Sequence, residues 1–153
     1  MLFRTHIVFS VSVYFLLSYI LEMPFFVLAF FVLGAAFVDI DEGNSKLGKR
    51  WFFRPLQWLS KHRGILHTLF LAVLLSCIVG MVSLWGGFGF FVGYISHLLL
   101  DCFTKSGVRI LWPLKFRIKG FVKSGGTLED TIFVLLLLGN IFIVGKMLFN
   151  HLF

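Results

Sequence analysis

Apolar residues in this chain fall in long runs rather than in alternation. Five runs stand out, over residues 6–21, 24–38, 64–84, 87–103 and 128–149. Runs of this length predict helices, and the longest approach the ~20 residues that cross a bilayer. The pattern predicts an all-α, integral membrane bundle of about five helices in one domain spanning residues 1–153. The first, second and fourth runs are short for a span, so their polar ends should lie near the headgroups or the bilayer should thin around them. Glu22, Met23 and Pro24 leave room only for a tight turn, with Pro24 suited to the first turn of the next helix. Trp85–Gly87 is expected to form a second tight turn, between the third and fourth runs.

Composition agrees with a membrane protein. Hydrophobic residues make up 59% of the chain, the mean hydropathy is +0.96 and charged residues are only 14%. Too few charges are available to cover a water-facing surface. The net charge of +7 would suit nucleic acid, but twelve of the fourteen Lys and Arg residues lie in two segments, Lys46–Arg63 and Lys105–Lys123. Basic loops beside apolar spans follow the positive-inside rule, so no nucleic-acid partner is expected. The rule predicts a multi-pass protein of the inner membrane, with the N-terminus and both basic loops cytoplasmic and the C-terminus on the far side. In the first loop, "RWFFRPLQWL" alternates aromatics with bases, as interfacial segments do. In the second, "KFRIKGFVK" has period two and predicts a short amphipathic hairpin about Gly120. Cys77 and Cys102 give no disulfide framework. Arg4 and the apolar run behind it resemble a signal peptide, but "LEMPFF" offers no small-residue cleavage site, so the segment should remain as an anchor.

The predicted topology gathers the polar residues that interrupt the runs. His6 opens the first span, Asp39 and Asp41 close the second, His62 and His67 open the third, and His97 and Asp101 close the fourth. All seven fall at the same, cytoplasmic, end. A carboxylate near the bilayer centre costs about 2.5–3.5 kcal/mol on an isolated helix, so such residues face the bundle interior and usually mark function. In "GYISHLLLD", His97 and Asp101 are offset by about 40° and ~6 Å along a helix and point into one space. That suits two ligands of one metal, or a ligand and its orienting carboxylate. "DIDE", Asp39–Glu42, crowds carboxylates at the negative end of a helix, where a cation must offset them. Arg63, in "HRGILHT", can clamp a phosphate or carboxylate. Seven imidazole and carboxylate candidates exceed what one zinc takes from protein, implying outer ligands or two ions. The mixed nitrogen and oxygen set favours Zn, then Mn or Fe, over Ca or Mg.

Each element alone has a plainer reading: an interfacial polar residue for His6, a hydrogen-bonded pair for His97 and Asp101, a helix-ending loop for "DIDE", a positive-inside charge for Arg63. Their convergence argues against reading each alone. His151 stands apart at the far end as structural. Ser96 projects about 100° from His97, which disfavours a Ser–His nucleophile.

The succession of Thr5–His6, Asp39–Asp41, "HRGILHT" (His62–Thr68), "GYISHLLLD" (Gly93–Asp101) and "TKSGVRILWP" (Thr104–Pro113) resembles the YdjM-like family of membrane-bound metal-dependent hydrolases, collinearly over about residues 5–113. The resemblance implies a small helical membrane protein distantly similar to zinc-dependent phospholipase C and P1-type nucleases. It implies metal ligands among His6, Asp39, Asp41, His62, His67, His97 and Asp101, with Thr104 and Gly107 shaping the wall of the site. Many members carry "PDxDH" where this chain has Val38 and Glu42, so Glu42 either replaces a ligand or leaves one fewer.

The leading expectation is a hydrolase of phosphoester or lipid-like substrates at the cytoplasmic face, embedded among membrane lipids. Asp41 or Asp101 would accept a proton, and His62 or Arg63 would stabilise charge. Arg109, Lys115 and Arg117 would hold a substrate phosphate or anionic lipid. The alternatives are a metal-ion or proton transporter, which needs polar residues continuing through the bundle, and a scaffold with a structural metal.

Overall fold

The computed structural model describes residues 1–41, 65–114 and 116–152. Among these residues the chain forms five α-helices: α1 (Phe3–Leu21), α2 (Val27–Phe37), α3 (Leu69–Gly80), α4 (Leu84–Cys102) and α5 (Thr127–Leu152). Short 3-10 turns over Val38–Asp41 and Ile65–His67 extend α2 and precede α3. The expected all-helical bundle is present. Among the described residues, two helices are long and apolar enough to cross a bilayer, α1 and Thr127–Asn150 of α5, with mean hydropathy 1.4 and 2.4.

The helix boundaries follow local chemistry. α1 stops at Glu22, which adopts a left-handed conformation (φ 49°), and the chain re-enters α2 through Val27 N–H donating to Pro24 O at 3.1 Å. The third run, expected as one span over 64–84, is divided: Ile65–His67 form the 3-10 turn, Thr68 caps α3 by accepting from Leu71 N–H at 3.3 Å, α3 runs over Leu69–Gly80, and Leu84 already belongs to α4. The following turn is Met81–Ser83, not Trp85–Gly87. Ser83 caps α4 by accepting from Gly86 N–H at 3.1 Å, which draws Trp85–Gly87 into the helix.

Glycines on α4 set the packing. A Cβ on Gly93 would lie 2.1 Å from Phe31 O, and one on Gly34 of α2 would lie 2.2 Å from Phe90 O, so α2 and α4 cross with their backbones in contact. Gly87 meets Gly80 of α3 in the same way. Small residues at helix crossings are the membrane solution to close packing. Around this crossing, Val38, Ala72, Phe90, Tyr94, Leu98 and Val108 form one core cluster, and Tyr14, Phe15, Met23, Val27 and Phe31 form a second toward α1. α5 lies against α1.

The outside of the bundle is apolar. Tyr19, Phe70, Met81, Val82 and Phe142 are exposed, while Thr5, His6, His67, His97, Asp101 and Glu129 are buried. This inverts the usual arrangement of a water-soluble domain. Between α4 and α5, an antiparallel bridge joins Val108 to Ile118 and a parallel bridge joins Thr104 to Val122. The expected hairpin therefore turns between Val108 and Ile118 rather than about Gly120. Gly120 instead passes against the chain at Phe103, where a Cβ would lie 2.2 Å from the carbonyl oxygen.

Candidate functional site

His6 lies in the first two turns of α1, Asp39 in the 3-10 turn after α2, His67 just before α3, and His97 and Asp101 one turn apart in α4. The fold brings all five together in the interior; none is more than 6% exposed. His6 Nε2 is 3.4 Å from Asp101 Oδ1, and His67 Nε2 is 3.6 Å from Asp101 Oδ2. His97 Nε2 is 3.5 Å from Asp39 Oδ1 and 3.9 Å from Asp101 Oδ2. The His6 and His97 rings stack with centroids 3.6 Å apart and planes 5° from parallel, and the His67 ring stands edge-on to His97. The Met1 nitrogen is 2.8 Å from Asp101 Oδ1.

One hydrogen bond sets the chemistry of His97. Its Nδ1 is 2.7 Å from Ala35 O. A carbonyl only accepts, so Nδ1 carries the proton and a neutral ring presents a bare lone pair at Nε2. That lone pair faces carboxylate oxygens of Asp39 and Asp101. Among the described residues, His97 Nε2 and both ring nitrogens of His6 are buried without a hydrogen-bond partner. Burying such atoms is costly; the Met1 ammonium meets one oxygen of Asp101, while the bare Nε2 of His97, set against the carboxylates of Asp39 and Asp101, is the pairing a bound cation would relieve.

Spacing provides a second test. Ligand atoms ~2.0–2.2 Å from a tetrahedral zinc stand about 3.4 Å from each other. The separations of 3.4, 3.5 and 3.6 Å match that edge length. Among the described residues, two ligand groupings are compact enough to hold an ion, His6 with His97 and Asp101, and Asp39 with His67 and His97. Five residues exceed a four-coordinate set, and His97, with Nδ1 engaged, has only Nε2 to offer.

The supports of the cluster are built into neighbouring turns. Tyr94 of α4 donates its hydroxyl proton to Leu66 O, beside His67. Thr104 donates to Asp101 O at 2.7 Å and accepts from Gly107 N–H at 3.2 Å, the left-handed glycine of the wall (φ 64°). Leu69 N–H donates to Ile110 O at 2.9 Å, fastening the start of α3 to the segment after α4. Ser96 donates to Gly93 O at 2.7 Å within its own helix, in agreement with its exclusion as a nucleophile.

Of the seven residues expected from sequence, five are assembled here. Asp41 ends the 3-10 turn, and its side chain, together with His62, Arg63 and Glu42, lies outside the described residues, as do Lys115 and the His151 side chain. Three contributors escaped sequence reasoning. Ala35 acts through its carbonyl, which no side-chain motif reveals. Tyr94 sits three residues before His97 in a quoted motif but reads as one more apolar position. Glu129 is buried at the start of α5, where an acidic residue normally reads as a favourable helix start.

A family model described as "YdjM inner membrane protein" matches residues 1–151. The inner membrane protein YdjM of Escherichia coli K12 and that of Shigella flexneri are each 33% identical over 97 residues, 58% of this chain and 50% of theirs. The uncharacterized protein YvsG of Bacillus subtilis is 26% identical over 110 residues, 65% of this chain and 66% of its own. The chain thus spans about half the length of the two YdjM proteins it matches. No solved structure matches.

Proposed function

The chain belongs to the YdjM family of inner membrane proteins, and from that premise we propose that it is a membrane-embedded metal-dependent hydrolase acting on a phosphoester or lipid-like substrate at the cytoplasmic face. The observation that carries this reading is the set of His6, Asp39, His67, His97 and Asp101, buried together with the bare Nε2 of His97 turned onto the carboxylates of Asp39 and Asp101 and both ring nitrogens of His6 without a hydrogen-bond partner.

These five side chains would hold a divalent ion, zinc first, with Asp41 and His62 as further ligands. When bound, such an ion lowers the pKa of water to about 7 and polarises a phosphoryl oxygen. The chain's own groups do the remaining work. Ala35 O orients His97, and the stacked His6 ring keeps water away from one face of that imidazole. Asp101, within 3.9 Å of three imidazoles, is placed to accept a proton, with Asp41 as its alternative. His62 and Arg63 would stabilise negative charge on the scissile group. Multi-pass insertion with the N-terminus and basic loops in the cytoplasm would put the pocket at the headgroup layer, where Arg109 and Arg117 would meet a substrate phosphate.

Transport is the weaker reading. Beyond the cluster, the buried hydroxyls of Ser10, Ser76 and Ser96 each donate to a backbone carbonyl, of Phe31, Ala72 and Gly93. They satisfy the helices rather than offer steps along a path. The test is elemental analysis of the purified protein and of His97→Ala and Asp39→Ala, alongside a phosphodiester and phospholipid hydrolysis panel. Bound metal with turnover, both lost in the variants, is expected. Unchanged metal content in both variants would remove the site, and metal without turnover would favour a structural role.

A further inference from the structure

Outside the cluster, one buried ionisable side chain bonds to the backbone and to the start of α1. Glu129 is fully buried at the start of α5. Its Oε1 accepts from Leu2 N–H at 2.5 Å and from the Thr5 hydroxyl at 2.9 Å, and its Oε2 accepts from Gly125 N–H at 2.7 Å. One carboxylate thus closes its own helix start and reaches across to the first turn of α1, whose next residue is His6.

Besides Glu129, the turn is tied at its start by the Met1 ammonium, which pairs with Asp101 at 2.8 Å. The first N–H groups of a helix lack partners in their own helix, and Leu2, the capping position of α1, makes no side-chain cap. Arg4 pairs with Asp130 at 2.5 Å, but both side chains are about half exposed, and such pairs contribute little. The Glu129 contacts are charge-assisted, the stronger class, and that with the Thr5 hydroxyl is buried. If the first turn frayed, His6 would leave its stack on His97 and its place 3.4 Å from Asp101.

We infer that Glu129 is a positioning residue for the histidine–carboxylate cluster, acting through Thr5 and the first turn of α1 to hold His6 in the ligand set. The inference rests on the metal-site reading above and deepens it: the C-terminal helix, which contributes no ligand among the described residues, becomes part of the site. Partners that orient a ligand typically change metal affinity about 10–100-fold when removed.

The experiment uses the full chain in detergent. Zinc affinity is measured by chelator competition, the absorption spectrum is recorded with bound Co(II), and amide exchange is followed over residues 2–8. The variants are Glu129→Ala, Thr5→Val, Thr5→Ser and, as a control, Thr131→Val, whose exposed hydroxyl bonds only within α5. Glu129→Ala and Thr5→Val should weaken zinc about 10–100-fold, shift the Co(II) bands in the folded, metal-saturated protein and speed exchange in the first turn. Thr5→Ser should restore all three, and Thr131→Val should change none. Wild-type affinity and Co(II) spectrum in both Glu129→Ala and Thr5→Val would overturn the inference. If the wild type binds neither metal, the metal-site reading fails and this deepening of it falls with it. Exchange then tests only the fastening of α1, and unchanged exchange in Glu129→Ala would overturn that as well.

Discussion

His97 and Ala35 are joined by a hydrogen bond of 2.7 Å from the imidazole Nδ1 to a backbone carbonyl, across the crossing of α4 and α2. The partner is main chain, so the orientation of the imidazole is set by how the two helices pack. The residue before Ala35 is Gly34, and Gly93 lies one turn before His97; both are points where the helices touch. Packing and chemistry at this site therefore share one piece of geometry.

Gly93→Ala should consequently damage both. The added Cβ would sit 2.1 Å from Phe31 O, which is backbone and cannot swing away. Overpacking of this kind costs about 1–3 kcal/mol, and the separation it forces would carry Ala35 O away from His97. A lower unfolding temperature together with lost zinc is expected by thermal unfolding and elemental analysis. Gly139→Ala, where nothing lies within 4 Å, should leave zinc unchanged. Equal effects of the two substitutions would show that the crossing does not matter.

Zinc should stabilise the wild type and not His97→Ala. A ligand that binds only the folded state at 100 times its Kd adds about 2.7 kcal/mol. The measurement is a thermal unfolding series in detergent with and without zinc, after chelator treatment. A zinc-dependent rise of equal size in His97→Ala would place the ion elsewhere.

Much of this was legible in the sequence, for physical reasons. Apolar runs must become helices in a bilayer because no other segment-local structure satisfies the backbone, and polar residues interrupting them at one end of the bundle must share its interior. That logic brought together His6, Asp39, His67, His97 and Asp101, all of which converge. Boundaries were less legible. Ser83 and Thr68 act as caps through local geometry that hydropathy does not report, so the third helix is shorter than its apolar run. The glycines of α4 read as turn residues in "WGG" but serve close packing instead. Glu129 was hidden because its partners, Leu2 and Thr5, are more than 120 residues away in sequence.

Tyr94→Phe isolates one support. The substitution keeps the ring among Phe90, Leu98 and Val108 and removes only the hydroxyl that donates to Leu66 O. Losing that donor costs about 1–3 kcal/mol where the carbonyl stays buried without a replacement. It also loosens the turn that carries His67. Zinc affinity should fall several-fold while Thr131→Val, on the exposed face of α5, has no effect. Wild-type stability and affinity in Tyr94→Phe would show that the His67 turn is held by other contacts.

Asp101→Asn offers the sharpest test of the cluster because it changes charge with almost no change of shape. Asp101 is the residue on which three imidazoles converge, at 3.4, 3.6 and 3.9 Å. An amide is a poor metal ligand and cannot take up a proton as a base, so the variant should fold, lose zinc and lose any phosphodiester turnover found in the wild type. It should lose more zinc than His6→Gln, since replacing His6 removes one ligand while replacing Asp101 removes the anion that offsets the ion's charge. The comparison requires zinc affinities for both variants and a matched Asp130→Asn, whose half-exposed carboxylate pairs with Arg4 away from the cluster. If Asp101→Asn retains wild-type zinc affinity while His6→Gln does not, Asp101 orients the histidines from outside the ligand set and the anionic ligand must be Asp39 or Asp41.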